Sequence, residues 1–162
     1  MNRLTVTAAN PTAASFLEVW PNGLTRPAAL SSLNFPAGRA TANQVTVKVG
    51  TNGAVQVFNL AGTTDITIDV IGYYRSGSGA AFTPLPIARV LDSRAATTLG
   101  GYSTPWGAGT TRNVQFTGRG GVPSGALAVT GGRVSAVGTE AEVARMAGRV
   151  ARVVDLGGRT VI

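Results

Sequence analysis

The sequence predicts an all-β fold, an antiparallel β-sandwich or barrel-like module with one short C-terminal α-helix. Three observations predict it. Short segments that alternate apolar and polar residues follow one another closely, which is the period of half-buried strands. Turn-forming words separate them, in a chain with 22 glycines among 162 residues, about twice average usage. From Thr139 onward the apolar period changes to that of a helix.

The elements follow in order. Leu4-Thr5-Val6-Thr7-Ala8 alternates, and Asn10-Pro11 breaks it. Ser15-Phe16-Leu17-Glu18-Val19-Trp20 is a second strand, stopped by Pro21-Asn22-Gly23. Gln44-Val45-Thr46-Val47-Lys48-Val49 puts three valines on one face. Gly50-Thr51-Asn52-Gly53 then reads as a hairpin turn into Ala54-Val55-Gln56-Val57-Phe58-Asn59. The segment from Thr64 to Tyr74 sets Ile66, Ile68 and Val70 against Asp65, Thr67 and Asp69. Val45, Val47, Val49, Ile66, Ile68 and Val70 are therefore the expected core.

Residues 75–81 read as a Gly/Ser linker that reaches at most about 25 Å. Strand patterns resume at Ala88-Arg89-Val90-Leu91-Asp92-Ser93, at Thr111-Arg112-Asn113-Val114-Gln115-Phe116 and at Ala126-Leu127-Ala128-Val129-Thr130. The organisation is a β half-module over 1–74, the linker, a second half-module over 82–132 that packs with the first, and a helical basic tail over 133–162. In that tail Thr139-Glu140-Ala141-Glu142 forms a capping box. Val143, Met146, Ala147, Val150 and Val154 follow at helical spacing, and Gly157-Gly158 ends the helix, expected over about 139–155. Arg145, Arg149 and Arg152 form a stripe off that face. The stripe fits first a helix packed on the sheet, and second a basic helix that binds a membrane surface or a partner.

Composition excludes much chemistry. The chain has no Cys and no His. That removes thiol nucleophiles, disulfides, Cys/His zinc sites and His acid–base mechanisms. No cofactor is expected, and no calcium loop or other metal motif is present. Carboxylates are the remaining catalytic candidates. Asp65 and Asp69 share a strand face, but residues four apart on a strand have Cα atoms about 13 Å apart. Glycosidase pairs need carboxyls about 5–9.5 Å apart. Asp92, between Arg89 and Arg94, reads as a structural ion pair that pins a strand end. Gly118-Arg119-Gly120-Gly121 lacks the Lys-Ser/Thr of a phosphate loop and reads as a turn. No enzyme is expected.

The net charge is +7, from 14 basic and 7 acidic residues, and 13 of the basic residues are Arg. They are spread singly, not interleaved with aromatics as in a nucleic-acid groove, so nucleic acid is not an expected partner. No run of about 18 apolar residues exists to span a membrane. The first residues run directly into a strand pattern and show no signal peptide. Trp20 and Trp106 are the candidates for stacking on a sugar ring or for an assembly contact, together with the Arg145, Arg149 and Arg152 stripe.

Several words also carry a resemblance. Ser32-Leu33-Asn34-Phe35, Gly38, Ala42-Asn43, Val47-Lys48-Val49-Gly50 and Asp69-Val70-Ile71-Gly72-Tyr73-Tyr74 resemble the closing part of a repeated β-rich module. That module belongs to secreted and cell-surface proteins of actinobacteria and related high-GC bacteria. Phe82-Thr83-Pro84-Leu85, Ala88-Arg89-Val90-Leu91-Asp92-Ser93-Arg94 and Thr117-Gly118-Arg119-Gly120-Gly121-Val122-Pro123 resemble its opening part. The resemblance covers about residues 3–130. It implies a secreted or cell-surface location and a non-catalytic structural or adhesive role; the alternative is a module that binds a carbohydrate or acidic envelope polymer. The order is permuted, with the closing half first. If the end of the Tyr73-Tyr74 strand lies far from the Ala88 strand, each half must find its complement on another molecule. Self-association into a homo-oligomer or fibre by strand exchange is then expected.

Overall fold

The computed structural model describes residues 1–27, 30–74, 81–122, 125–130 and 133–139. The described residues form ten strands: β1 (Asn2–Ala9), β2 (Ser15–Pro21), β3 (Leu33–Phe35), β4 (Thr41–Val47), β5 (Ala54–Asn59), β6 (Asp65–Tyr74), β7 (Phe82–Asp92), β8 (Thr110–Gln115), β9 (Gly125–Thr130) and β10 (Arg133–Thr139). Two four-stranded sheets run in the orders β4-β1-β6-β7 and β3-β2-β5-β8, and β9 pairs with β10 in a separate ladder. All pairings are antiparallel. The fold class is the all-β one that alternation predicts, and among the described residues there is no α-helix.

Alternation sets which side chains meet. On β1 the inward set is Leu4, Val6 and Ala8, opposite Val70, Ile68 and Ile66 of β6. From the other sheet Leu17, Val55, Val57 and Val114 join them in one core. Val47, Ile66, Ile68 and Val70 are buried as expected, while Val45 and Val49 pack at its margin.

Three expectations about connection change. First, the Gly50–Gly53 turn does not close a hairpin. It is a turn, with the Gly53 N–H donating to the Gly50 carbonyl at 3.0 Å, but β4 and β5 lie in different sheets. The chain crosses over there because Val47 and Val55 both point into the core from opposite sides. Gly53 sits at φ 63°, where a Cβ would come 1.8 Å from the Thr117 Oγ1, so glycine is required. Second, β7 begins at Phe82, not Ala88, and pairs along β6 from Tyr74↔Phe82 to Thr67↔Asp92. Third, residues 133–139, assigned above to a helical tail, form strand β10, so Thr139 ends a strand. The helix expected beyond it, with Arg145, Arg149 and Arg152, lies outside the described residues.

The second half contributes one edge strand to each sheet, β7 beside β6 and β8 beside β5. The two halves therefore close within one chain. The condition for exchange of halves between molecules is not met, because the chain that leaves Tyr74 returns opposite it at Phe82.

Candidate functional site

Among the described residues, the densest cluster of ion pairs lies where the halves join. Asp69 comes from β6; Arg89 and Asp92 come from β7, and Arg94 and Thr97 from the turn that follows. In a regular strand, residues three apart point to opposite faces. Arg89 and Asp92 share a face because the β6–β7 register shifts between Ile68↔Leu91 and Asp69↔Arg89, leaving Val90 as an extra residue. The bulge turns Asp92 to the same outer side as Asp69.

Asp92 is 1% exposed. Its Oδ1 accepts from the Arg94 backbone N–H at 3.1 Å and Nε at 3.0 Å. Its Oδ2 accepts from Arg94 Nη2 at 2.7 Å, Thr97 Oγ1 at 2.8 Å and Arg89 Nη1 at 3.2 Å. Arg89 also forks onto Asp69, with Nε–Oδ1 at 2.9 Å and Nη2–Oδ2 at 3.2 Å. The Arg94 guanidinium holds the Asp92 carboxyl below the usual carboxylate range, outweighing the opposing effect of burial; Thr97 adds to it. Hydrogen bonding to Asp69 raises Arg89, and hydrogen bonding to Asp92 raises Arg94. A carboxylate kept ionised with five donors on it has no proton to give and no free lone pair aimed at solvent. The cluster works as a fastener between the halves.

The other acids are also engaged. Asp65 accepts from Ser93 Oγ at 3.1 Å and Asn10 Nδ2 at 3.2 Å, while Asp69 is held by Arg89, so these two do not form a pair. Among the described residues no group of three acids could hold a metal ion. In the glycine loop the Gly118 N–H donates to the Val122 carbonyl at 3.0 Å, and the Val122 N–H returns to the Arg119 carbonyl at 2.9 Å. That is a turn which seats Val122 on the core.

Trp20 and Trp106 are not sugar platforms. Trp106 is 0% exposed, within the core, and donates Nε1–H to the Val57 carbonyl at 3.0 Å. Tyr102 packs edge-on against it, and the Arg112 guanidinium covers it, 4.6 Å from the ring centroid. Trp20 is 5% exposed and donates to the Leu24 carbonyl at 3.1 Å. Tryptophan carries a large apolar ring and one donor, and burial beside a carbonyl satisfies both.

Glu18 was not singled out by its pattern. Leu17 and Val19 point into the core, so Glu18 lies on the outer face of its sheet, opposite Phe58. Its side chain is 2% exposed and pairs with Arg26, whose guanidinium stacks over the Phe58 ring at 3.4 Å. The segment that carries Arg26 runs back along β2, with the Ser32 N–H donating to the Leu17 carbonyl. Among the described residues Oε1 of Glu18 has no hydrogen-bond partner. An acid eight residues before an arginine is not a recognisable spacing, and only the strap across the sheet brings them together.

No family model, curated protein or solved structure matches this chain.

Proposed function

We propose that the chain is a non-catalytic structural or adhesive module of a bacterial cell surface. One observation carries the reading: among the described residues, the largest cluster of ion-paired groups bridges the two halves. Asp69 of the first half meets Arg89, and through it Asp92 and Arg94, of the second. Its polar chemistry serves to hold a sandwich together. The opening and closing words of the resembled surface module meet at this junction, since Asp69 belongs to the closing word and Arg89, Asp92 and Arg94 to the opening one.

The test is location in the bacterium that makes the protein. Cell fractionation with an antibody should find it in the envelope or the medium, and external protease should degrade the cell-bound fraction on intact cells. Confinement to the cytoplasm would overturn the reading. So would turnover of a polysaccharide or peptide that is lost on Asp92→Ala while the fold is retained.

A further inference from the structure

Glu18 of β2 and Phe58 of β5 are directly opposite one another in the ladder, on the outer face of their sheet. A carboxylate beside an aromatic ring suits a flat cation, because the ring face attracts positive charge and the carboxylate accepts N–H groups. In the folded chain Arg26 fills that place. Its Nε–H donates to Glu18 Oε2, and its guanidinium carbon lies 3.4 Å from the Phe58 ring centroid.

The match is incomplete. A guanidinium can offer two parallel N–H groups to a carboxylate. Arg26 bonds Oε2, while Oε1, among the described residues, has no partner although Glu18 is 1% exposed. A buried oxygen without a donor keeps the full cost of leaving water. Arg26 is carried on a strap that is fastened on either side of it. On one side the Leu24 carbonyl accepts from Trp20 Nε1 at 3.1 Å. On the other, Ser31 Oγ accepts from Asn34 Nδ2 at 2.8 Å and the Ser32 N–H donates to the Leu17 carbonyl at 2.8 Å. Leu24 and Leu30 are exposed, so neither holds the strap down by burial. The Arg26 side chain is itself 38% exposed, so its guanidinium can leave toward solvent. A guanidinium that arrives without these tethers can bring its second N–H to Oε1.

We infer that Glu18 and Phe58 form a binding site for a guanidinium group, the head of an arginine side chain, and that Arg26 closes this site within the chain. The ligand class follows from the occupant. A guanidinium is planar, so it stacks on the ring and forks across two oxygens at once, whereas an ammonium is a compact point charge that cannot do both. Arg26 is eight residues from Glu18, and a group tethered that closely competes at an effective concentration on the order of millimolar. An external guanidinium therefore binds weakly while Arg26 is in place and more tightly once it is removed. The inference goes beyond the surface role proposed above. Its test concerns the pure protein, so a cytoplasmic location would overturn that role and leave the site untouched.

The experiment titrates the full chain with methylguanidinium at constant ionic strength and follows amide and indole N–H shifts by NMR. Arg26→Ala should show saturable shifts centred on Glu18, Phe58 and the Trp20 indole, with affinity about tenfold or more above that of wild type. Methylammonium should bind Arg26→Ala about tenfold more weakly than methylguanidinium. Adding Glu18→Gln to Arg26→Ala should abolish the saturable shifts. A Gly-Arg-Gly peptide separates the two sources of the group: tighter binding than methylguanidinium assigns it to an arginine within a chain, equal binding to a small free cation, and either supports the site. Arg26→Met, which keeps an apolar cover on the ring, replaces Arg26→Ala should that variant not fold by circular dichroism. If both are unfolded, methylguanidinium should restore the fold and methylammonium should not. No saturable binding to a folded variant would overturn the inference. So would shifts that persist with Glu18→Gln, equal affinity in wild type, or no restoration of unfolded variants.

Discussion

Asp92 and Glu18 are equally buried, and each faces an arginine from the segment that follows its strand, yet their surroundings differ. Asp92 has five donors on its two oxygens. Among the described residues, Glu18 has Arg26 on one oxygen and no donor on the other. The first sits at the junction of the halves, in a turn pinned by the Asp92–Leu99 bridge. The second lies beneath a strap that is largely exposed. The comparison shows that burial alone does not make a carboxylate a strong fastener. The number of donors brought to it decides, because each removes part of the cost of taking the charge out of water.

The largest loss is expected at Asp92. Asp92→Ala removes the acceptor shared by Arg89, Arg94 and Thr97, and should cost about 2–4 kcal/mol in denaturant unfolding. Because its folded carboxyl titrates below the unfolded value, the stabilisation is present above about pH 4 and is lost as pH falls further. The gap between wild type and Asp92→Ala should therefore be full at neutral pH and shrink in acid. A gap that stays constant below pH 4 would show that the carboxylate's charge is not what matters.

Arg26→Ala strips Glu18 of its partner. The strap can lift and let water in, so the expected loss is smaller, about 1–3 kcal/mol. It should be accompanied by a change in Trp20 fluorescence, since Leu24 of the same strap accepts from the indole. The smallest effect is expected from Glu18→Gln, which replaces a half-satisfied charge by a neutral amide of the same shape. A change within about 1 kcal/mol, of either sign, is predicted. A loss as large as that of Asp92→Ala would show that the two sites are equivalent after all.

Part of the Asp92 site was legible in the sequence. Arg94 is two residues from Asp92, and an acid flanked by arginines at a strand end needs only a local turn to form the fork. Arg89 was legible as a second partner of Asp92, but how its side chain reaches that face and forks onto Asp69 was not. That geometry depends on the extra residue at Val90, which changes the parity of β7, and neither an alternation pattern nor a spacing rule reports a bulge in advance. Glu18 was hidden for a related reason. On a strand with one face in the core, an acid reads as solvent-facing, and the strap that covers it comes from a loop with no period to read.

The sequence by itself determined the fold class and most strands, because side chains alternate across a strand and apolar sets at that period must find a core. It also ruled out thiol and imidazole chemistry, since the residues are absent. Only the tertiary structure decided which sheet each strand joins. Alternation reports the buried face of a strand but not its neighbour, so a turn that looked like a hairpin became a crossing between sheets. It also decided that both tryptophans are buried and that the two halves close in one chain. Those outcomes rest on hydrogen bonds and packing between residues far apart in sequence, which no local pattern encodes.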